Sequence, residues 1–139
     1  MPSMVFPGRF ASLARIRTFF ADAARQAGLD ESAVHSIELA ADEAAANIID
    51  HAYGGEDRGD IECGWSLEPT RLVMTFLDYG TPFEPESVAA PDIKSKVTER
   101  KPRGLGLYFM RRLMDEVRFE FNGEGGNKLT MVKNLPDPQ

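Results

Sequence analysis

The chain has 139 residues, of which 42% are hydrophobic and 27% are charged, and its formal net charge is -6. This composition argues against intrinsic disorder and suits one domain over residues 1–139. No run of Lys or Arg supplies the basic face of a direct nucleic-acid binder, and no segment approaches the roughly 20 apolar residues of a membrane helix. We therefore expect a cytoplasmic protein with no direct nucleic-acid or membrane partner.

Two helices are predicted in the first part of the chain. Apolar residues recur at helical spacing over residues 9–27, and Gly28 follows as a stop because glycine accepts the left-handed conformation that closes helices. Asp30 is suited to cap a second helix, which continues to about Tyr53 before two glycines break it.

The rest of the chain predicts strands, a long loop and a third helix. Strand-like runs cover residues 60–67 and 71–77, followed by a proline-broken loop at 84–103, a helix at 104–116, and a closing hairpin at 117–121 with 128–135. Helices and strands are grouped rather than alternating. This order predicts an α+β fold, a two-layer α/β sandwich with helices on one face of a mixed, mostly antiparallel sheet.

A polar stripe marks the second helix. Glu43, Asn47 and His51 are spaced four apart and therefore share one face of a regular α-helix. Such a stripe also occurs on the solvated side of any amphipathic helix. In the functional interpretation, the Glu43 carboxylate accepts a proton or orients a nucleophile, and the Asn47 amide oxygen binds Mg²⁺, which prefers oxygen ligands.

A second candidate feature follows the strand at residues 71–77. An aspartate in the position of Asp78, close to a glycine, is most often a turn residue. The alternative is that Asp78 accepts a hydrogen bond from the exocyclic amine of a base. Gly80 would then let the backbone approach the ring closely.

A third candidate feature opens the last predicted helix. Gly104 and Gly106 follow Arg103, and glycines before a helix leave backbone N–H groups that form an anion site with the helix dipole. A flexible hinge would carry the same residues. The segment is neither a Walker loop nor a Rossmann fingerprint, because the residues and glycine spacing of those motifs are missing.

In their order and spacing, these features resemble the histidine-kinase-like ATPase superfamily, which has the Bergerat ATP-binding fold. Within it, the chain is most similar to the anti-sigma factor serine/threonine kinases of partner-switching systems. Residues 43–53 resemble the N box, 78–83 the first glycine box, 104–107 the second, and 126–133 the closing strand. The resemblance extends over about residues 5–135.

The resemblance implies a role for each matched residue. Glu43 is the expected general base, which accepts the proton of a partner's serine or threonine hydroxyl. Asn47 is the expected Mg²⁺ ligand, and Asp78 the expected partner of the adenine amino group. The other residues expected to contact ATP are Gly80, Arg103, Gly104, Leu105, Gly106, Leu107 and Thr130.

The resemblance also implies partners. A STAS-domain anti-anti-sigma protein would be phosphorylated, and a sigma factor or other output protein would be sequestered; a homodimer is common among such kinases. Two alternatives stay open. One is a non-catalytic ATP-binding regulatory module that only sequesters its partner, although Glu43 favours the kinase. The other is an ATPase module of the chaperone, gyrase or mismatch-repair type, which works with large additional domains that we do not expect here.

Overall fold

The computed structural model describes residues 2–82 and 103–136. The helices and strands in these ranges are β1 (Ser3–Pro7), α1 (Leu13–Gln26), α2 (Glu31–Asn47), β2 (Asp60–Leu67), β3 (Arg71–Asp78), α3 (Arg103–Leu113), β4 (Glu116–Phe121) and β5 (Asn127–Asn134). A 3-10 turn over Phe10–Ser12 precedes α1, and a π-helical turn over Ile48–Ala52 continues α2. All of the loop predicted at 84–103 except Arg103 lies outside the described residues.

The five strands form one sheet in the order β1-β2-β3-β5-β4. Each neighbouring pair is antiparallel, so the described part of the sheet is not mixed. The helices pack against one face of this sheet through a shared apolar core. The predicted α+β sandwich is therefore confirmed.

Two helix ends form for the reasons that the sequence indicates. The Asp30 carboxylate accepts a hydrogen bond from the backbone N–H of Ala33 at 2.9 Å, which satisfies a donor that the first turn of α2 leaves unpaired. Gly28 adopts φ +84° just beyond α1, a conformation that a side chain would disfavour. Both predicted signals are confirmed.

The core lies between α1, α2 and the inward-facing row of each strand. Along β3, Leu72, Met74 and Phe76 alternate into it, and the Phe76 ring lies 4.8 Å, centroid to centroid, from that of Phe20 on α1. Because side chains alternate along a strand, the next residue of the inward row is Asp78. The core thus directs a carboxylate towards the helical layer at the end of β3.

Several elements differ from the predictions, most of them by a few residues at one end. β1 was not predicted; it is a five-residue edge strand beside β2, and Pro7 at its end is tolerated because an edge strand has no second neighbour to bond. The third helix ends at Leu113 rather than residue 116, because Glu116 pairs with Val132 in the sheet. The second helix leaves regular α-helical winding after Asn47.

Among the helices of the described ranges, none combines the length and apolar character needed to cross a bilayer.

Candidate functional site

A pocket lies between the C-terminal end of α2 and the adjoining ends of β3 and β5. Its walls bring together segments that are far apart in sequence, because residues of the predicted N box, first glycine box and closing strand all line it. The residues that line it include Ala44, Asn47, Ile48, Asp78, Asn127 and Leu129.

Asp78 forms the polar end of this pocket. It is buried, with 5% of its surface exposed, and its Oδ1 atom accepts hydrogen bonds from the Gly80 backbone N–H and the Asn127 amide, each at 2.9 Å. Asn127 also donates to the Gly80 carbonyl oxygen at 2.9 Å. Within the described residues these bonds end on Oδ1, so Oδ2 accepts neither of them and is the oxygen left for a ligand.

The environment of Asp78 also sets its protonation. Burial raises the pKa of the Asp78 carboxyl above its ordinary value, and the hydrogen bonds from Asn127 and Gly80 lower it by less. Burial in an apolar pocket is costly for a charge, whereas donated hydrogen bonds favour the carboxylate. The buried carboxylate is therefore less favoured than an exposed one, and a further donor such as a base amine would stabilise it.

Gly80 is required by a close backbone contact. A Cβ atom added there would lie 2.3 Å from the Ala52 carbonyl oxygen, well inside van der Waals contact. The same carbonyl accepts a hydrogen bond from the Thr81 N–H at 2.7 Å. The first glycine box is thus pressed against the end of the second helix, and only glycine allows this approach.

The predicted polar stripe runs from α2 into the π-helical turn. Glu43 and Asn47 lie on α2, but His51 lies in the turn, where bonds span one residue more than in an α-helix. The Tyr53 N–H accordingly bonds to the Ile48 carbonyl. That all three side chains share one helix face therefore stays a prediction for His51, which lies beyond the regular α-helical winding.

Glu43 and Gly106 are brought together by the packing of α3 on α2. A Cβ atom at Gly106 would lie 2.8 Å from Oε2 of Glu43, so the carboxylate of the second helix rests against the first turns of the third. Glu43 is half-buried and Gly106 is buried. The predicted base and the predicted phosphate-binding helix are therefore neighbours.

Asn47 lies one turn beyond Glu43 and lines the pocket. It is half-buried, and none of the hydrogen bonds found among the described residues involves its side chain. An amide oxygen in this position can serve a hard cation such as Mg²⁺.

The remaining predicted residues fall into two groups. Arg103, Gly104 and Leu105 form the first turn of α3, as expected for residues that offer helix N-terminal N–H groups, and Leu107 is buried in the core. Thr130 pairs with Thr75, and by strand alternation it lies on the sheet face opposite Asp78 and Asn127. The structure does not bring Thr130 into the pocket.

Asn127 occupies the place beside Asp78 and was not predicted. It opens β5 opposite Asp78 in the antiparallel register. The preceding Gly126 has φ +88°, and a Cβ there would lie 2.7 Å from the Asp78 carbonyl oxygen. The sequence does carry a signal for this residue, a glycine followed by an amide at the start of the last strand. Pairing that strand with β3 would have placed the amide opposite Asp78.

Comparison with known families agrees with this geometry. The family model described as the histidine kinase-like ATPase domain matches residues 6–133. The chain belongs to this histidine kinase-like ATPase family. The match spans every element that lines the pocket, from α2 to β5.

Curated relatives match most of the chain. Serine-protein kinase RsbW of Bacillus thuringiensis is 32% identical over 119 residues, covering 83% of this chain and 74% of the relative. Serine-protein kinase RsbW of Listeria monocytogenes is 28% identical over 120 residues, covering 84% of this chain and 75% of the relative.

Two structural neighbours share the fold. The RsbU and RsbW domains of Rv1364c from Mycobacterium tuberculosis match 98% of this chain with a TM-score of 0.65 and 18% identity, and this chain spans 34% of that longer one. The catalytic domain of histidine kinase ThkA matches with a TM-score of 0.55 and 16% identity, covering 96% of this chain and 97% of that one. At these identities the likeness concerns the fold alone.

Proposed function

We propose that the protein is an ATP-dependent serine/threonine protein kinase that also acts as an anti-sigma-type regulator. The observation that carries the proposal is the placement of the Glu43 carboxylate against Gly106, one helical turn from Asn47. A domain that only holds nucleotide has no need of a base at this point. The serine-protein kinase names of the relatives support the same activity.

The residues that line the pocket suit ATP and Mg²⁺ by their chemistry. Ala44, Ile48 and Leu129 supply apolar walls suited to a flat ring, and Asp78 supplies a buried acceptor for a ring amine. Asn47 offers an amide oxygen at the edge of the pocket, as Mg²⁺ requires. The N-terminal turn of α3 offers backbone N–H groups and a positive dipole end for phosphates.

In the proposed reaction, ATP supplies the γ-phosphoryl group, which the acceptor hydroxyl oxygen of a protein serine or threonine takes while ADP leaves. Glu43 accepts the proton of that hydroxyl. Asn47 would hold a cation that offsets phosphate charge, and Arg103, the first residue of α3, would add further positive charge. Asp78, held by Asn127 and the Gly80 N–H, orients the base so that the phosphates lie towards α3.

The partners are proposals of the same kind. We propose a STAS-domain anti-anti-sigma protein as the phosphorylated partner and a sigma factor or other output protein as the sequestered one, with a homodimer as the working assembly. The cytoplasmic location expected from the sequence belongs with them. These roles follow from the resemblance of the boxes and from the relatives' activity.

The test is phosphate transfer to a purified STAS-domain protein, followed by intact-protein mass spectrometry. Wild-type protein with Mg-ATP should add one phosphate to the partner. Glu43→Gln should bind ATP normally but lower kcat by about 100-fold or more, as expected for loss of a general base. Glu31→Gln, an exposed change in the first turn of the same helix, should retain full activity.

Two results would contradict the proposal. Full transfer by Glu43→Gln would remove Glu43 from the role of base. ATP binding without transfer to any STAS-domain partner would instead support the non-catalytic regulatory module.

A further inference from the structure

A single hydroxyl group joins three segments around the pocket. The Tyr53 side chain follows the π-helical turn, and its hydroxyl donates to the Asp60 carbonyl oxygen at 2.6 Å. The same oxygen accepts a hydrogen bond from the Tyr79 backbone N–H at 3.1 Å. The end of the second helix is thereby tied to the start of β2 and to the residue that directly follows Asp78.

The backbone at two glycines packs closely against the ring of Tyr53. A Cβ atom at Gly59 would lie 2.4 Å from ring atoms Cε1 and Cζ, and one at Gly8 would lie 3.4 Å from Cδ2. The Gly8 N–H also bonds to the Gly59 carbonyl at 2.8 Å, which closes the backbone around the ring. Because the ring is packed this closely, the direction of its hydroxyl is fixed by the fold.

A second bond reinforces the same connection. The Thr81 N–H donates to the Ala52 carbonyl at 2.7 Å, so the residues on either side of Gly80 are both anchored to the end of the helix that carries Asn47. The segment after Asp78 is therefore positioned from the helix and not only from the sheet.

Tyr53 stays protonated in this setting, and its hydroxyl therefore remains a donor. Burial raises the pKa of Tyr53, the bond from the Tyr79 N–H lowers it, and the nearby carboxylates of Asp78, Asp60 and Glu62 raise it further. At neutral pH the hydroxyl consequently donates to Asp60 and accepts from Tyr79 together.

We propose that Tyr53 is a positioning residue for base recognition, which holds the Tyr79 backbone so that the Asp78 carboxylate faces the amine of a 6-aminopurine nucleotide. This inference rests on the proposed function, because it assigns to Tyr53 a part in the binding of ATP. Its effect falls on the base and not on the phosphates, since the bonds of Tyr53 lie on the Asp78 side of the pocket.

The test compares two nucleotides in the full chain. Tyr53→Phe keeps the packed ring and removes the hydroxyl. Tyr108→Phe makes the same chemical change on α3, where the hydroxyl makes no hydrogen bond among those found between described residues. Calorimetry gives the affinity of each protein for ATP and for purine riboside triphosphate, which lacks the amino group, and circular dichroism gives the thermal midpoint.

The expected pattern is selective. Tyr53→Phe removes both hydrogen bonds of the hydroxyl and should weaken ATP binding by about five-fold, because the bond to the Tyr79 N–H no longer preorganises the site. Its affinity for purine riboside triphosphate should change less than two-fold, and Tyr108→Phe should match wild type for both nucleotides. Gly59→Ala, which displaces the ring and keeps the hydroxyl, should repeat the Tyr53→Phe pattern.

Each contrary result has a distinct meaning. Failure of wild-type protein to bind ATP would refute the proposed function, and the inference with it. Normal ATP binding by a folded Tyr53→Phe would refute the inference alone. Equal weakening for both nucleotides would show a structural role only and would likewise overturn it.

Discussion

Replacing Asp78 by Asn should separate stability from ligand binding. The amide oxygen of Asn can still accept the hydrogen bonds that Gly80 and Asn127 donate to Oδ1. What the change removes is a negative charge on a side chain with 5% of its surface exposed. It also removes the carboxylate proposed to accept the base amine.

The expected gain in stability follows from opposing costs. A buried charge costs several kcal/mol after relaxation, and each of the two retained bonds weakens by about 1 kcal/mol when its acceptor becomes neutral. The balance leaves Asp78→Asn more stable by about 1–2 kcal/mol at pH 7, which corresponds to a rise in Tm of about 3–8 °C. ATP affinity should fall about 10- to 100-fold, the effect of losing a hydrogen bond to a charged group.

The gain should depend on pH. Burial raises the pKa of Asp78 in the folded chain. A carboxyl with a raised folded pKa contributes stability that is fully present below its unfolded pKa and is lost as the pH rises through its folded pKa. The advantage of Asp78→Asn should therefore be complete at pH 7 and shrink as the pH is lowered through the folded pKa of Asp78.

Urea unfolding followed by circular dichroism at pH 7 and at pH 4, with calorimetric titration of ATP, measures these effects. Asp22→Asn, the same change at an exposed position of α1, should alter stability by less than about 0.5 kcal/mol. A clear loss of stability for Asp78→Asn at pH 7, or a gain that does not shrink in acid, would refute the account of Asp78. Unchanged ATP affinity would remove it from base recognition.

Two further substitutions test neighbouring contacts. Asn127→Ala removes the amide that donates to both Asp78 and Gly80. Urea unfolding should show that the free energy of unfolding falls by about 1–3 kcal/mol, and calorimetry should show weaker ATP binding. A free energy of unfolding equal to that of wild type would contradict this. Gly106→Ala places a methyl group 2.8 Å from the flexible end of Glu43 and improves helix propensity. Tm should therefore hold or rise, whereas kcat for phosphate transfer should fall at least ten-fold because the Glu43 carboxylate is displaced. An unchanged kcat would show that Glu43 need not lie against Gly106.

The elements that sequence reading recovered are those with local signals. Asp30 as a cap, Gly28 as a stop and the strand at residues 71–77 depend on a few adjacent residues, and each is confirmed. The proximity of Glu43 and Gly106 could not be predicted from local signals, because it depends on how α3 packs on α2. The resemblance to a known family provided that long-range information, and the contact agrees with it.

The features that were missed depend on register and winding. Thr130 was chosen from its place in a motif, but its face is set by the pairing of β5 with β3, which puts Asn127 beside Asp78 instead. β1 is short and forms by pairing with β2, so its own residues give little indication of a strand. The wide turn after Asn47 is likewise invisible in an alanine-rich helical pattern.

That wide turn also bears on which changes of length the chain can accept. A π-helical turn holds one residue more than an α-helical turn, so deleting one residue from Ile48–Ala52 would permit ordinary α-helical winding and leave Tyr53 near its present direction relative to Asn47. The same deletion within the regular part of α2 would rotate the residues on its two sides by about 100° relative to one another. In a library of variants, we expect the loss of one residue to be accepted more readily in Ile48–Ala52 than in Glu31–Asn47.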